Sequence, residues 1–268
     1  MFDLTGRTAF ITGSSRGVGR AIALSVAAAR ANVVLHGLER NDDAEQTIND
    51  CRQKGVEVEF VSGDLSASTE SVLRIAKEVS TIAPNVDLLV NNAGSYFDKP
   101  FLDMPAETFE KTMRLNVFAY FLLTQHFAKR WVSEGTAGRV LMIGSINGRL
   151  AEQTHVAYDT SKGAIEMMVR SLCAELAPHN IRVNGLAPGL FVTPLTAPGL
   201  DDPNERAWME LHTPNGDVPT ADVAGGPAVF LLSDAAEHVH GHMLMVDGGM
   251  STWQQPLRPD AFTLREKL

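Results

Sequence analysis

Cysteine is scarce: the 268 residues hold two, Cys51 and Cys173. Two cannot build a disulfide framework, and their scarcity points to a reducing cytoplasm. Long apolar runs are absent as well. No stretch reaches the length of a membrane-spanning helix. No basic segment followed by an apolar one precedes the first strand pattern, so no secretory leader is expected. Basic residues are outnumbered, 23 Lys and Arg against 32 Asp and Glu, for a net charge of −9. That balance excludes nucleic acid and anionic membrane as natural partners. Internal repeats and low-complexity segments are also missing. What remains is an ordinary globular composition, 44% hydrophobic and 21% charged, on a chain long enough for one large α/β core.

What is present alternates. Apolar strand patterns fall at 8–12, 32–36, 57–61, 86–90, 139–144, 181–187 and 242–246. Helical patterns fall between them, at 18–30, 43–54, 71–82, 106–132, 157–177 and 221–232. Regular β–α alternation predicts a single Rossmann-like doubly wound parallel sheet with helices on both faces. The expected domain is 1–250, followed by a tail at 251–268. Two of the helices, 106–132 and 157–177, are apolar on more than one side, which implies burial on more than one side.

Between the first strand and the first helix lies Thr12-Gly13-Ser14-Ser15-Arg16-Gly17-Val18-Gly19. Glycines at such a turn let the backbone approach a pyrophosphate, and the helix N-terminus beyond supplies free N–H groups and a positive dipole. No Lys-Ser/Thr pair follows, which argues against a Walker-type phosphate loop.

A second constellation lies downstream. Tyr158 and Lys162 stand four residues apart, on one face of a predicted helix. A phenol titrates near ~10, and a neighbouring ammonium lowers that value by favouring the phenolate. Ser145 follows the strand pattern at 139–144, at the edge where ligands of parallel sheets collect, and its hydroxyl can hold a substrate oxygen.

The motifs come in a fixed order: Thr12-Gly13, Gly17 and Gly19; Asp64-Leu65; Asn91-Asn92-Ala93-Gly94; Asn116; Ser145; Tyr158 and Lys162; Pro188-Gly189 followed by Thr193. With them the chain resembles the ordinary short-chain dehydrogenases/reductases over nearly its whole length. The resemblance implies Tyr158 as general acid/base, Ser145 as orienter of the substrate, and Lys162 as the group that lowers the tyrosine pKa and binds the nicotinamide ribose. Asn116 would hold a water linking Lys162 to solvent. Asp64 and Leu65 would contact adenine, Asn91 the adenosine side, and Thr193 the nicotinamide amide. Gly13, Ser15, Arg16, Gly17, Val18, Gly19, Gly37, Leu38, Ala93, Gly94, Pro188 and Gly189 complete the expected cofactor site. Relatives form dimers or tetramers through the two long helices, so a homotetramer or homodimer is expected. In relatives, the segment matching 190–219 covers the substrate; here it is rich in Pro, Asp, Asn and Gly, with a short helical stretch around Trp208 and Met209.

The candidate pocket residues are Ser95, Tyr96, Asn147, Gln153, His155 and Phe191. This mix suits a small polar substrate such as a sugar, polyol, sugar acid or hydroxy acid, because buried polar groups need polar partners. A 3-oxoacyl-carrier-protein-type reductase, a non-catalytic dinucleotide sensor and a lyase or epimerase using the cofactor transiently are the alternatives. The second strand ends in Gly37-Leu38, where an NAD enzyme usually carries an acid. Arg16 offers a guanidinium for a 2′-phosphate, so NADP is favoured and NAD is the alternative, with Glu39 able to fold back as the acid. His238, His240 and His242 alternate, but no Cys or carboxylate pair completes a site, and no metal is expected. The tail, with Trp253, is read as an arm on a neighbouring subunit or a frayed end.

Overall fold

The computed structural model describes residues 2–252, and the reading of the tail lies outside them beyond Thr252. Seven strands form one sheet: β1 (Thr8–Ile11), β2 (Asn32–Gly37), β3 (Val58–Ser62), β4 (Leu88–Asn91), β5 (Arg139–Ile143), β6 (Arg182–Pro188) and β7 (Met243–Val246). Their order is β3-β2-β1-β4-β5-β6-β7 and every pairing is parallel. Strands β1, β4, β5 and β6 are buried along their whole length, the pattern of a parallel sheet covered on both faces.

Alternate residues feed two cores. Phe10, Val34, Leu89 and Val140 point to one face, under α3 (Thr69–Ile82), α5 (Ala119–Glu134) and α6 (Val156–Leu176), with Phe127, Trp131 and Ile165. Ala9, Ile11, Leu35 and Leu141 point to the other, under α1 (Gly17–Ala28), α2 (Asp42–Arg52) and α9 (Gly225–Leu232), with Ile22, Ile48 and Val229. Trp131 is fully buried, and its indole N–H donates to Val86 O at 2.7 Å.

The predicted helix over 106–132 has an interruption. It begins as α4 (Ala106–Met113), passes through one wide π turn (Arg114–Phe118) and continues as α5. The segment 190–219 holds α7 (Ala197–Leu200) and α8 (Pro203–His212); α8 carries no buried residue.

The order reverses between β1 and β4, because β1 runs on to β2 on one side while β4 pairs on the other. Ligands of open α/β sheets bind outside the strand C-termini at such a switch point. The opposite edge is clamped instead. Arg7 pairs with Asp87 at 2.6 Å, Arg182 donates to Ser233 O at 2.7 Å and to Leu231 O at 3.0 Å, and Arg139 bonds Leu232 O and Asp234.

Candidate active site

The glycine loop is held by its own small polar residues. Thr12 Oγ1 donates to Val90 O and accepts the N–H groups of Asn92 and Ala93 at 2.9 and 3.0 Å. Ser14 Oγ donates to Ile11 O and accepts His36 N–H. Two glycines are required by space. Gly13 has φ +60°, and a Cβ there would lie 2.9 Å from Ala93 Cα; a Cβ at Gly19 would lie 2.2 Å from Gly13 O. Only bare backbone passes between the loop and the segment after β4.

Asn92, named in its motif without a role, and His36, which sequence reasoning missed, complete this crossing. Asn92 Nδ2 donates to Thr12 O and Gly13 O, both at 2.9 Å. His36, at the end of β2, accepts Gly13 N–H on Nδ1 at 3.2 Å and faces Gly63 O with Nε2 at 3.1 Å. Burial pushes its pKa down to about 4, so the ring is neutral, with its proton on Nε2. A buried imidazole after a β-rich run reads as core in a sequence; only the meeting of three strand ends gives it this task.

α1 opens at Arg16 with no side-chain cap and no acidic residue in its first turn. Its N-terminal N–H groups therefore face a crevice of about 350 Å³, lined by Ser15, Arg16, Gly17, Thr193 and Pro194 among others. A Cβ at Gly17 would lie 3.7 Å from Thr193 Cβ, so the segment after β6 roofs the loop. An uncapped helix start, a cradle without room for a Cβ and an exposed guanidinium suit the diphosphate of a dinucleotide. Val18 starts the helix behind the loop and packs on the α1-side core. Past the end of β3, Asp64 Oδ1 accepts Ser66 N–H and O–H, both at 2.7 Å, and Leu65 is buried. Asn91 is buried with Nδ2 on Thr124 Oγ1, which turns its side chain toward α5. A Cβ at Gly37 would lie 3.3 Å from Glu39 O and from Phe60 Cζ, so a side chain there would have to push the Phe60 ring or the Glu39 carbonyl aside by a few tenths of an ångström. Leu38 beside it is 72% exposed. Pro188 ends β6, and a Cβ at Gly189 would lie 2.8 Å from Asp247 Cα.

The second constellation assembles at the ends of β5 and α6. Ser145 leaves β5 in extended conformation, and its Oγ accepts Asn147 N–H at 3.1 Å. Lys162 is buried, and its Nζ donates to Ile143 O at 2.9 Å, 5.5 Å from the Tyr158 ring centroid. Asn116, inside the π turn, braces the neighbourhood. Its Oδ1 accepts Ser95 N–H at 3.1 Å, and its Nδ2 donates to Ser95 O and Ser161 Oγ at 3.0 Å each. Ser161 Oγ in turn donates to Tyr158 O at 2.6 Å. A Cβ at Gly94 would lie 3.2 Å from Asn116 Oδ1 and 3.7 Å from Lys162 Nζ, so both polar atoms converge on that glycine. π turns often mark functional positions.

In the unliganded site, burial outweighs any lowering of the Tyr158 phenol by Lys162. Burial pushes Tyr158 up to about 12, against a hydrogen bond from Ser145, and Asp159, Tyr96 and Glu152 add to the rise. Burial also lowers Lys162, to about 8, and its ammonium points at a carbonyl rather than at the phenol oxygen.

The candidate pocket residues separate. Tyr96 and His155 stand beside Tyr158, with ring centroids 5.9 and 6.1 Å away. Asn147 is engaged, its Nδ2 on Asp159 Oδ1 at 2.8 Å and Glu152 Oε2 at 3.3 Å. Gln153 is exposed and contributes its main-chain carbonyl to His155 Nδ1. Phe191 is 4% exposed and packs in the core on the α1 side. Among the described residues, no group of three His, Cys, Asp or Glu is placed to hold a metal.

Residues 7–204 match the family model described as short chain dehydrogenase. The chain is 34% identical to L-rhamnose 1-dehydrogenase (NADP(+)) of Thermoplasma acidophilum, over 93% of this chain and 98% of that one. It is also 34% identical to 5-keto-D-gluconate 5-reductase of Escherichia coli, over 93% and 97%. A crystal structure of gluconate 5-dehydrogenase from Burkholderia cenocepacia, in complex with NADP and tartrate, superposes with a TM-score of 0.88 at 32% identity, covering 94% of this chain and 98% of that one.

Proposed function

Because the chain belongs to the short-chain dehydrogenase family, we propose that it interconverts a secondary alcohol and a ketone, or a sugar hemiacetal and its lactone, on a sugar-like substrate. The observation that carries this reading is the pairing of a buried lysine with a tyrosine and a serine at one strand end, beside a helix start built for a diphosphate. A nicotinamide dinucleotide bound in the crevice supplies or accepts the hydride. The residues of the chain do the rest.

In the reductive direction Tyr158 gives its proton to the substrate oxygen. A phenol held near about 12 stays protonated at neutral pH and is ready to donate as negative charge develops on that oxygen. Ser145 donates a hydrogen bond to the same oxygen and fixes its position. The Lys162 ammonium stabilises the phenolate left behind. In the oxidative direction the roles reverse: Tyr158, as the phenolate supported by the Lys162 ammonium, takes the proton of the substrate hydroxyl.

The sugar-like substrate class draws on two relatives, one named for L-rhamnose and one for 5-keto-D-gluconate. The cofactor is NAD(P), with NADP preferred. Supporting this, Gly37 leaves no acid at the end of β2, and Arg16 is exposed without an acidic partner among the described residues, whereas Arg40 is taken by Glu45. A homotetramer or homodimer is proposed on the strength of Phe118, Phe121 and Met167, which expose 56, 42 and 56% of their surface along the π turn, α5 and α6. Cytoplasmic residence is supported by two free cysteines; among the described residues no helix is long and apolar enough to cross a membrane.

The test is turnover. Tyr158→Phe is expected to lower kcat by at least ~10²-fold, the usual scale of general acid catalysis, while the nicotinamide cofactor still binds by fluorescence titration. Near-native turnover in that variant, or wild-type activity confined to steroids or acyl thioesters, would overturn the reading.

A further inference from the structure

The wall beside Tyr158 is aromatic and acidic together. Tyr96 and His155 pack against each other with ring centroids 5.3 Å apart, and each meets the Tyr158 ring at a steep angle of 75°. Tyr96 Oη donates to Leu195 O at 3.0 Å, which fixes the ring under the covering segment. His155 Nδ1 faces Gln153 O at 3.0 Å; its Nε2 lies 3.2 Å from Asp98 Oδ1 and 4.0 Å from Glu152 Oε2. Glu152 N–H donates to Asp159 Oδ2 at 2.9 Å, which draws a third carboxylate into the same corner. Among the described residues, no lysine or arginine pairs with Asp98, Glu152 or Asp159.

Chemistry of this kind suits one ligand class. Aromatic rings receive the C–H face of a sugar, and carboxylates take hydroxyl hydrogen bonds in charge-assisted form. The same carboxylates repel a ligand carboxylate, and like-charge juxtaposition is how sites reject wrong partners. Burial is the main cause that holds both tyrosines up; Asp159 and Glu152 add to it at Tyr158, and Asp98 and Glu152 at Tyr96. An anionic substrate bound against Tyr158 would feel the same field.

We propose that the Tyr96–His155 wall, with Asp98, Glu152 and Asp159 around it, makes this enzyme select an uncharged sugar or polyol over a sugar acid. The inference rests on the dehydrogenase reading above and narrows its substrate class. The two relatives named for L-rhamnose and for 5-keto-D-gluconate stand on opposite sides of that division.

The experiment measures kcat/KM of the full chain, with saturating NAD(P)+, for neutral aldoses and polyols and for the aldonates and uronates matched to them in carbon skeleton. The best neutral substrate is expected to exceed the best acid by at least about tenfold. Added salt should narrow that ratio, since the discrimination is electrostatic. Glu152→Gln and Asp98→Asn should each raise kcat/KM for the acids, through KM. Tyr96→Ala should raise KM for the neutral substrate more than it lowers kcat. An acid turned over as well as the best neutral sugar overturns the proposal and leaves the dehydrogenase reading intact. So does a preference unmoved by both carboxylate substitutions and by salt. Turnover of no sugar, polyol or sugar acid overturns both.

Discussion

Lys162 is the residue whose burial has the clearest kinetic consequence. The free enzyme holds it at about 8, and kcat/KM for the nicotinamide cofactor reports the ionisations of the free enzyme. Below that pH the ammonium supports the phenolate as Tyr158 gives up its proton; above it the support is gone. In the reductive direction kcat/KM should therefore hold level and then fall as pH rises through about 8. Lys162→Arg, with a guanidinium that stays charged, should remove that break. A wild-type profile flat from pH 7 to 9.5 would count against the assignment. Arg16 carries a second prediction: Arg16→Ala should lower kcat/KM for NADPH by about tenfold or more and that for NADH much less, the loss of one charge-assisted phosphate contact. Equal loss for both cofactors would instead make Arg16 a loop residue serving the diphosphate. Tyr158, Lys162 and Ser145 could be read from the chain because the ordered set of motifs resembles one family; the four-residue spacing and the strand end alone fit a solvated helix face as well. The roles of Asn92 and His36 could not. Each acts on a loop remote in sequence, 79 and 23 residues away, and nothing local distinguishes them from ordinary core polar groups.

Among the elements, the crossing of β1, β2 and β3 ends through His36 makes the glycine loop acid-sensitive. The folded pKa is about 4 against an ordinary 6.5. The unfolded chain therefore binds the proton first, and stability is lost as pH falls from about 6.5 to about 4. The whole loss is roughly 3 kcal/mol. His36→Gln keeps an acceptor and a donor at that point without the titration. Its denaturation midpoint in cofactor-free protein should change less between pH 7 and 4.5 than that of the wild type. An unchanged acid slope would mean that other groups set it. The strand expectations agree with the structure within two residues at every boundary, because most of these strands are buried on both faces and leave unbroken apolar runs. The helix starts at 42 and 69 were placed one and two residues late, since the caps Asn41 and Ser68 are polar residues outside the apolar pattern. The π turn at Arg114–Phe118 was invisible, because one extra residue in a turn leaves the surrounding periodicity almost intact. α8 gave only a faint trace around Trp208, having no buried face to write into the sequence.

For the whole molecule, alternation alone carried the α/β class, whereas the order β3-β2-β1-β4-β5-β6-β7, and with it the position of the switch point, had to come from the structure or from resemblance. The exposed apolar residues of the π turn, α5 and α6 lead to a test of assembly: sedimentation should show a dimer or tetramer, and Phe121→Glu with Met167→Glu should shift it toward monomer. A monomeric wild type would remove that expectation. The two edges of the sheet lead to another. At the N-terminal edge, Arg182 holds the carbonyls of Leu231 and Ser233; Arg182→Met removes that donor from both and leaves Ser233 O with the longer bond from Ala236 N–H at 3.3 Å, at a cost of about 1–3 kcal/mol. The Tm should drop by several degrees while KM for substrate and cofactor stays put. The tyrosine, serine, lysine, glycine loop and aromatic wall all stand at the C-terminal edge, at the far end of the strands from Arg7, Arg139 and Arg182. The fold thus keeps this arginine clamp and its chemical vocabulary in different places. A lineage carrying this scaffold can rewrite residues such as Asp98 or Glu152, and so change what it turns over, while the arginines that keep it folded never enter the exchange.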